Sequence, residues 1–262
     1  MKVFLTGASS GIGRATAEAL SNAGHEVWGT SRDISRVPAL PLMHAVRLDL
    51  NDRATIHQAF ESASAEAGGF DVVINNAGNG HFGPAESLSA EMLHEQFQTL
   101  VFAHIELCRL AIASMRARNG GLIINVTSLA ARLPVPFMAA YNAAKAAMAS
   151  FTMSLQLELA GTNIRIVDLQ PGDISTGFND AVAKPETADE RVNRTWLVVN
   201  KNMRNAPKPE IVARRILALM VASDPPPRVT VGDAFQANVA PLLDRLLPQR
   251  LRLWALKNYY RI

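Results

Sequence analysis

The chain has 262 residues, of which 48% are hydrophobic and 19% charged, and its formal net charge is +3. This length and composition suit one large α/β core. The single cysteine, Cys108, excludes an internal disulfide, and no apolar run reaches the ~18 residues that a membrane span needs. Because the first residues already form a predicted strand, we expect no signal peptide and a cytoplasmic protein.

Short apolar runs alternate with alanine-rich stretches along the chain. Strands are predicted over residues 2–6, 25–30, 43–48, 70–75, 122–127, 164–169 and 228–231, and helices over 14–20, 54–67 and 139–160. This alternation predicts an α/β fold with a doubly wound parallel sheet and helices on both faces. We expect a single domain over residues 1–262, with ligands at the carboxyl ends of the strands.

A glycine-rich turn joins the first predicted strand to the first predicted helix. Gly7 can take a positive φ, Gly11 lets the backbone approach a ligand, and Gly13 lets the helix pack close to the strand. Backbone N–H groups at the start of the helix favour an anionic phosphate. A bare turn without a ligand is the alternative, but the strand-turn-helix setting favours a nucleotide site.

Tyr141 and Lys145 stand four residues apart and share one face of a predicted helix. An ammonium group beside a phenol stabilises the phenolate, which makes the tyrosine usable as an acid or base near neutral pH. Ser128 ends a predicted strand, and its hydroxyl is suited to bind a substrate oxygen. These three residues form the predicted catalytic group, although a surface role for Lys145 remains the alternative.

Together with Asn75-Asn76-Ala77-Gly78 and Pro171-Gly172, these segments have the order and spacing of the short-chain dehydrogenase/reductase family. The chain resembles that family over nearly its whole length. The resemblance implies a Rossmann-type fold, an NAD(P) cofactor, hydride transfer between nicotinamide and a carbonyl or alcohol, and a homodimer or homotetramer. The cofactor-binding residues that it implies are Gly7, Ser9, Ser10, Gly11, Ile12, Gly13, Arg32, Asp49, Leu50, Asn76, Ala77, Gly78, Tyr141, Lys145, Pro171, Gly172, Ile174 and Thr176.

The end of the second predicted strand bears on the choice of cofactor. An NAD enzyme usually has an acidic residue there, whereas this chain has Arg32 first and Asp33 directly after it. The Arg32 guanidinium suits a 2′-phosphate, and the stretch resembles Thr-x-Arg-Asp of NADP-preferring family members. NADP(H) is therefore the expected cofactor and NAD(H) stays possible, since Asp33 could be mistaken for the carboxylate of an NAD enzyme and an exposed Arg32 without contacts is the alternative.

One position departs from the family pattern. Many members carry an asparagine in the helix before the fifth strand, where it helps to hold a water next to the lysine, and Leu100 stands at that place. Leucine has no polar side-chain atom, so only its backbone carbonyl could hold the water. We expect reduced but real activity, and a cofactor-binding regulatory or scaffold protein is the other function class left open.

The segment after Gly172, residues 173–206, is predicted to form a lid over the substrate. Apolar residues there and before the catalytic helix suit an apolar carbonyl or secondary alcohol. The expected substrate-binding residues are His81, Ser128, Leu133, Phe137 and Phe178. A plain loop role for His81 and a core role for the aromatic residues remain alternatives. The histidines form no HxH or HExxH pair, so we predict no metal site.

The C-terminal segment, residues 234–262, lies in the basic part of the chain. Residues 201–262 contain 11 Lys and Arg against 4 Asp and Glu. Leucines recur between arginines there, which is a pattern that suits an interfacial helix on anionic lipid. Pro248 interrupts the pattern, and we prefer a segment that covers the pocket or contacts another subunit. We expect no nucleic-acid binding because no aromatic-basic platform accompanies the charge.

Overall fold

The computed structural model describes residues 1–184 and 188–262. A seven-stranded parallel sheet in the order β3-β2-β1-β4-β5-β6-β7 forms its centre. The strands are β1 Lys2–Leu5, β2 Glu26–Ser31, β3 Met43–Arg47, β4 Val72–Asn75, β5 Gly121–Val126, β6 Ile164–Pro171 and β7 Arg228–Val231. Each predicted strand is confirmed, with ends that match or shift by one or two residues.

Ten α-helices accompany the strands in the described residues. They are α1 Gly11–Asn22, α2 Arg53–Ala67, α3 Ala90–Phe97, α4 Ala103–Ala117, α5 Ala139–Glu158, α6 Phe178–Ala181, α7 Glu190–Asn205, α8 Glu210–Val221, α9 Ala240–Leu246 and α10 Gln249–Tyr260. Left-handed Gly68 ends α2, as glycine commonly does after a helix. A π-helical segment, Gln98–Phe102, connects α3 to α4.

Helices cover both faces of the sheet, which confirms the predicted doubly wound fold. α1 and α8 pack together on one face, where Leu20 and Ile216 are fully buried. Ile56 of α2, Leu107 of α4 and Leu155 of α5 cover the other face. The strands are consequently apolar on both sides, as buried parallel strands are. The strand order reverses beside β1, and a cleft opens there at the carboxyl ends of β1 and β4.

The residues after β6 form a cover over this cleft. The predicted lid corresponds in part to α6 and α7, while its residues 185–187 lie outside the described residues. From α10, Tyr260 is buried in a small apolar cluster with Val192 and Val199 of α7. The outer sides of α9 and α10 expose Leu246 and Trp254. None of the helices in the described ranges has the length and hydropathy of a membrane span.

Candidate active site

The glycine turn between β1 and α1 has the shape of a phosphate cradle. Gly7 and Gly11 have φ angles of +73° and +52°. A Cβ at Gly13 would overlap the Gly7 carbonyl oxygen. Ser10, which precedes α1, makes no side-chain capping hydrogen bond, so the first-turn N–H groups stay available to a ligand. The turn therefore fits a dinucleotide pyrophosphate.

Hydrogen bonds fix the loop after β4 to the same turn. The Thr6 hydroxyl oxygen accepts the N–H groups of Asn76 at 2.8 Å and Ala77 at 3.0 Å. The Asn76 amide donates to the Thr6 carbonyl at 3.0 Å. A Cβ at Gly7 would lie only 2.9 Å from the Cα of Ala77, so the two loops are in close contact. Asn76, Ala77 and Gly78 thus line the cleft beside the glycine turn.

Two arginines line the end of the cleft beside β2. Arg32 and Arg36 are both exposed there, and Arg36 was not identified from the sequence. The Asp33 carboxylate accepts the hydroxyl of Ser35 at 2.7 Å and its N–H at 3.0 Å. These hydrogen bonds hold the pKa of Asp33 below its usual value. Asp33 is therefore engaged within its own turn, whereas this end of the cleft is cationic.

Ser128 and Tyr141 meet at the carboxyl end of β5. The Ser128 hydroxyl accepts the Ala130 N–H at 3.0 Å and also hydrogen-bonds the Tyr141 phenol. Burial raises the pKa of Tyr141 to about 12, and the hydrogen bond from Ser128 opposes this rise. The phenol therefore keeps its proton at neutral pH. The predicted lowering of this pKa by Lys145 is not seen, because burial removes the phenol from water and dominates its pKa.

Lys145 is buried one helical turn after Tyr141, which excludes a surface role. Its Nζ donates to the Val126 carbonyl at 2.9 Å and lies 5.8 Å from the centre of the Tyr141 ring. Burial lowers the pKa of Lys145 to about 8, while the charge of Asp168 acts in the opposite direction. Asp168 is itself buried and accepts Arg228 Nε at 2.8 Å. The lysine consequently remains charged at neutral pH.

Leu100 lies in the π-helical segment and is fully buried. A Cβ at Gly78 would lie 3.0 Å from Leu100 Cδ2 and 4.0 Å from Lys145 Nζ, so leucine fills the space beside the lysine. The backbone carbonyl of Leu100 is hydrogen-bonded to the buried imidazole of His104, whose pKa burial lowers to about 3. The carbonyl expected to hold a water therefore already has one partner. His104 was not identified from the sequence.

The expected substrate residues divide into two groups. His81, Ser128, Leu133 and Phe178 line the cleft. The His81 ring is buried, and neither of its nitrogens has a hydrogen-bond partner among the described residues. Phe178 lies 5.7 Å from Tyr141 between ring centres.

Phe137 is placed elsewhere. Its backbone has a φ of +63°, and its ring packs on Phe82 at 6.0 Å between centres, so it does not belong to the described cleft wall. Phe82 in turn packs on Trp196 at 4.7 Å. This aromatic group supports the cleft wall from behind, as the alternative core interpretation held.

The glycine turn, Ser128, Tyr141, Lys145, His81 and Phe178 line one cleft of about 990 Å³. Pro171, Gly172, Ile174 and Thr176 line it after β6, and Asp49 and Leu50 line it after β3. Residues of the C-terminal segment also line the cleft, as the preferred interpretation of the tail predicted. The lining residues that were not identified from the sequence include Gln236, Leu243, Leu247, Leu256 and Tyr259. Over residues 1–184 and 188–262, no three His, Cys, Asp or Glu side chains form a metal-binding group.

Comparison with known proteins agrees with this geometry. The family model for short chain dehydrogenases matches residues 1–187. The chain belongs to the short-chain dehydrogenase family. The 3-ketodihydrosphingosine reductase of Bacteroides thetaiotaomicron is 32% identical, over 99% of this chain and 98% of the relative.

Solved structures share this architecture over nearly all of the chain. A short-chain dehydrogenase from Streptomyces avermitilis is 27% identical with a TM-score of 0.82, over 99% of this chain and 97% of that one. The closed form of a serine dehydrogenase complexed with NADP+ is 26% identical with a TM-score of 0.79, over 91% and 97%. The family match makes this chain an oxidoreductase.

Proposed function

We propose that this short-chain dehydrogenase uses NADP(H) to interconvert an apolar ketone and its secondary alcohol, with Tyr141 as the proton donor and acceptor. The observation that carries the proposal is the convergence of Ser128, Tyr141 and Lys145 on the cleft that also contains the glycine turn. The Ser128 hydroxyl is hydrogen-bonded to the phenol, and the buried Lys145 lies beside the phenol ring. A surface helix or a bare turn would bring none of these groups together.

The chemistry divides between the nucleotide and the protein. Reduced nicotinamide supplies hydride when it is bound. Tyr141 gives its phenolic proton to the carbonyl oxygen, and its raised pKa keeps that proton in place until the oxygen becomes basic. The Ser128 hydroxyl orients the same oxygen and stabilises its developing charge. Lys145 contributes a nearby positive charge that stabilises the phenolate left behind.

The preference for NADP(H) rests on the end of the cleft beside β2. Arg32 and Arg36 offer two guanidinium groups to a 2′-phosphate, while Oδ1 of the intervening Asp33 accepts two hydrogen bonds from Ser35. Guanidinium groups bind phosphate through charge-assisted hydrogen bonds. The serine dehydrogenase that resembles this chain was solved with NADP+, which supports the same assignment.

The substrate class rests on the walls of the cleft beyond the catalytic group. Leu133, Met138 and Phe178 line it on one side, and Leu243 and Leu256 of the tail on the other. An apolar wall of this extent suits a long or bulky hydrocarbon. The relative from Bacteroides thetaiotaomicron is named for a long-chain ketone substrate, and a substrate of that kind is our first choice for this chain.

The test is a cofactor-consumption assay on the full chain. Purified protein is incubated with NADPH or NADH and a panel of long-chain ketones, short ketones, aldehydes and quinones, and oxidation of the nucleotide is followed by absorbance. We expect consumption of NADPH with at least one long-chain ketone and slower consumption of NADH. If NADPH binds but no member of the panel is reduced, the protein is a cofactor-binding regulator and the proposed activity is wrong.

A further inference from the structure

His104 is a buried histidine of α4 whose ring has one nitrogen without a partner. Its exposed fraction is 2%, and in the described residues Nε2 makes no hydrogen bond. The other ring nitrogen is engaged, since the ring donates to the Leu100 carbonyl one turn earlier. A neutral imidazole has one donor and one acceptor nitrogen, so Nε2 is the acceptor. A buried acceptor without a donor is costly, and nearly all such atoms in folded proteins have a partner in the protein or in water.

A second acceptor of this kind belongs to Asn75, the last residue of β4. A chain of hydrogen bonds fixes which atom of its amide is the oxygen. The Thr152 hydroxyl donates to the Met148 carbonyl at 2.7 Å, so its oxygen accepts the Asn125 amide N–H at 2.8 Å. The Asn125 oxygen then accepts the Asn75 amide N–H at 2.8 Å. Asn75 Oδ1 is left as a buried acceptor that has no partner over residues 1–184 and 188–262.

The side chain of Asn75 is fixed against the face of α4 that carries His104. The Asn75 amide donates to Cys108 Sγ at 3.3 Å, and Cys108 lies one helical turn after His104. Residues four apart share one face of a helix. Nδ2 is thus occupied on the side of Cys108, and Oδ1 is on the opposite side of the amide group. Two buried acceptors therefore belong to facing surfaces of β4 and α4.

Lys145 supplies donors to the same region. It is 4% exposed, and its Nζ donates to the carbonyl of Val126 at 2.9 Å, which is the one hydrogen bond of Nζ to the described residues. A Cβ at Gly78 would lie 4.0 Å from Nζ and 3.0 Å from Leu100 Cδ2, so the ammonium group lies beside the residue to which His104 is bonded. An ammonium group has three N–H donors. Even with one of them given to a bound nucleotide, one remains.

One water molecule matches these groups. Water accepts a hydrogen bond from an ammonium N–H and donates two, and a buried water typically has about three polar partners. We propose that His104 Nε2 and Asn75 Oδ1 bind one buried water molecule, and that this water accepts an N–H of Lys145 and holds the ammonium group in place. The site differs from the one expected at the Leu100 carbonyl, where His104 already donates. His104 is a positioning residue, because it acts through Lys145.

The water also bears on the charge of Lys145. Burial lowers the pKa of Lys145 and the charge of Asp168 opposes this change. A hydrogen bond that the ammonium form donates favours that form, so the water raises the pKa above the value that burial would otherwise set. Its effect on the rate of reaction rests on the proposed function, whereas the water site itself does not.

The other ionisable groups near Lys145 are few. Tyr141 is on its own helix, and β5, the π-helical segment and residues 129–131 contain no ionisable side chain. The remaining ionisable residues of α3 and the first half of α4 face elsewhere: Glu91, His94 and Glu95 are exposed, and Glu106 pairs with His57 of α2. His104 and Asp168 are therefore the groups from other elements that set the charge of the lysine.

The first test measures the pKa of Lys145 by NMR titration of the full chain with 13C-labelled lysine, and Lys145→Arg assigns the resonance. No substrate is needed. We expect His104→Leu to lower this pKa by about one unit, the size expected for a hydrogen bond to a charged group. His104→Gln keeps an acceptor and should restore most of the difference. His94→Leu removes an exposed imidazole of α3 and should change nothing. An unchanged pKa in His104→Leu with the melting temperature of the parent overturns the inference.

A crystal structure of the parent at high resolution tests the water itself, and it decides even if His104→Leu does not fold. We expect one ordered water about 2.7 to 3.2 Å from His104 Nε2, Asn75 Oδ1 and Lys145 Nζ. No water there, or direct contact of Nζ with the imidazole, overturns the inference. If a ketone is reduced, the alkaline fall of kcat/KM should move down by the same unit in His104→Leu. The water and the shifted pKa without any turnover support the inference and contradict the proposed function.

Discussion

The two sides of the cleft are built in different ways. The nucleotide side is formed by backbone at strand ends, where Gly7 and Gly13 allow contacts too close for a Cβ and Gly11 takes a positive φ. The substrate side is formed by side chains from α6, α7 and the tail, and part of the tail remains exposed. The nucleotide side is thus set by the fold, whereas the substrate side can change with single residues. Variants on the two sides should therefore fail in different ways.

The largest effect is expected where the two sides meet. Tyr141→Phe keeps the ring but removes the transferable proton, so turnover should fall by about 10²- to 10⁴-fold. Because the nucleotide side is built from backbone, the affinity for NADPH should change little. Fluorescence titration of NADPH beside steady-state rates checks both statements. Near-normal turnover in this variant would remove Tyr141 from the mechanism.

The second largest effect is expected for a substitution on the nucleotide side alone. Arg32→Ala removes a charged hydrogen bond to a 2′-phosphate and should weaken NADPH binding by about 1.5 to 3 kcal/mol. NADH has no such phosphate, so its affinity should be almost unchanged. Dissociation constants for both nucleotides provide the measurement, and Arg47→Ala, on β3 and outside the described cleft wall, is the control. Equal affinity of the parent for NADPH and NADH would contradict the assignment.

A pH profile distinguishes the two titrating groups of the catalytic pair. Lys145 has its pKa lowered to about 8 and Tyr141 has its pKa raised to about 12. The lysine is charged below its pKa, so kcat/KM for reduction should be level at neutral pH and fall by about tenfold per unit above pH 8. Lys145→Arg keeps its charge throughout this range and should remove that fall. A profile that stays level to pH 10 in the parent would exclude Lys145 as the controlling group.

A smaller effect is expected at Leu100. Leu100→Asn places an amide beside Lys145, and turnover should rise by a few fold if proton supply limits the rate. The change also buries a polar group, which costs roughly 1 to 3 kcal/mol when it is unpaired. Melting temperature and the solvent isotope effect should be measured together. An unchanged isotope effect in a folded variant would show that leucine serves packing only.

The smallest effect concerns the exposed face of the tail. Other residues of the tail line the cleft, so we expect the tail to pack on its own chain and to bind little to vesicles that contain anionic lipid. Flotation with and without salt measures this, with the variant Arg250→Glu as a charge control. Strong, salt-sensitive binding would make the exposed leucines of α9 and α10 a membrane contact.

The nucleotide side could be predicted from the sequence because its residues are required by backbone geometry. Strand-helix alternation predicted the parallel sheet with helices on both faces, and the glycines marked the turn because a Cβ at Gly7 or Gly13 would be too close to neighbouring atoms. Tyr141 and Lys145 could be predicted because helical spacing alone places them on one face. The predicted site residues on this side all line the cleft.

The substrate side could not be predicted to the same degree because its contacts are long-range. Asp173 and Gln236 are 63 residues apart and meet only in the fold. Phe137 was expected in the cleft, but a left-handed backbone turns it toward Phe82. The pKa of Tyr141 depends on burial, which no local pattern reports. The oligomeric state remains a prediction.

Transfer of deuterium tests the central claim most directly. The full chain is incubated with NADPH carrying deuterium at both positions of C4 and with a long-chain ketone, and the alcohol is analysed by mass spectrometry. We predict one deuterium on the carbinol carbon with the parent protein and almost none with Tyr141→Phe, although both proteins bind NADPH. An alcohol without deuterium, or equal labelling by both proteins, would contradict hydride transfer from the nucleotide side with proton transfer by Tyr141.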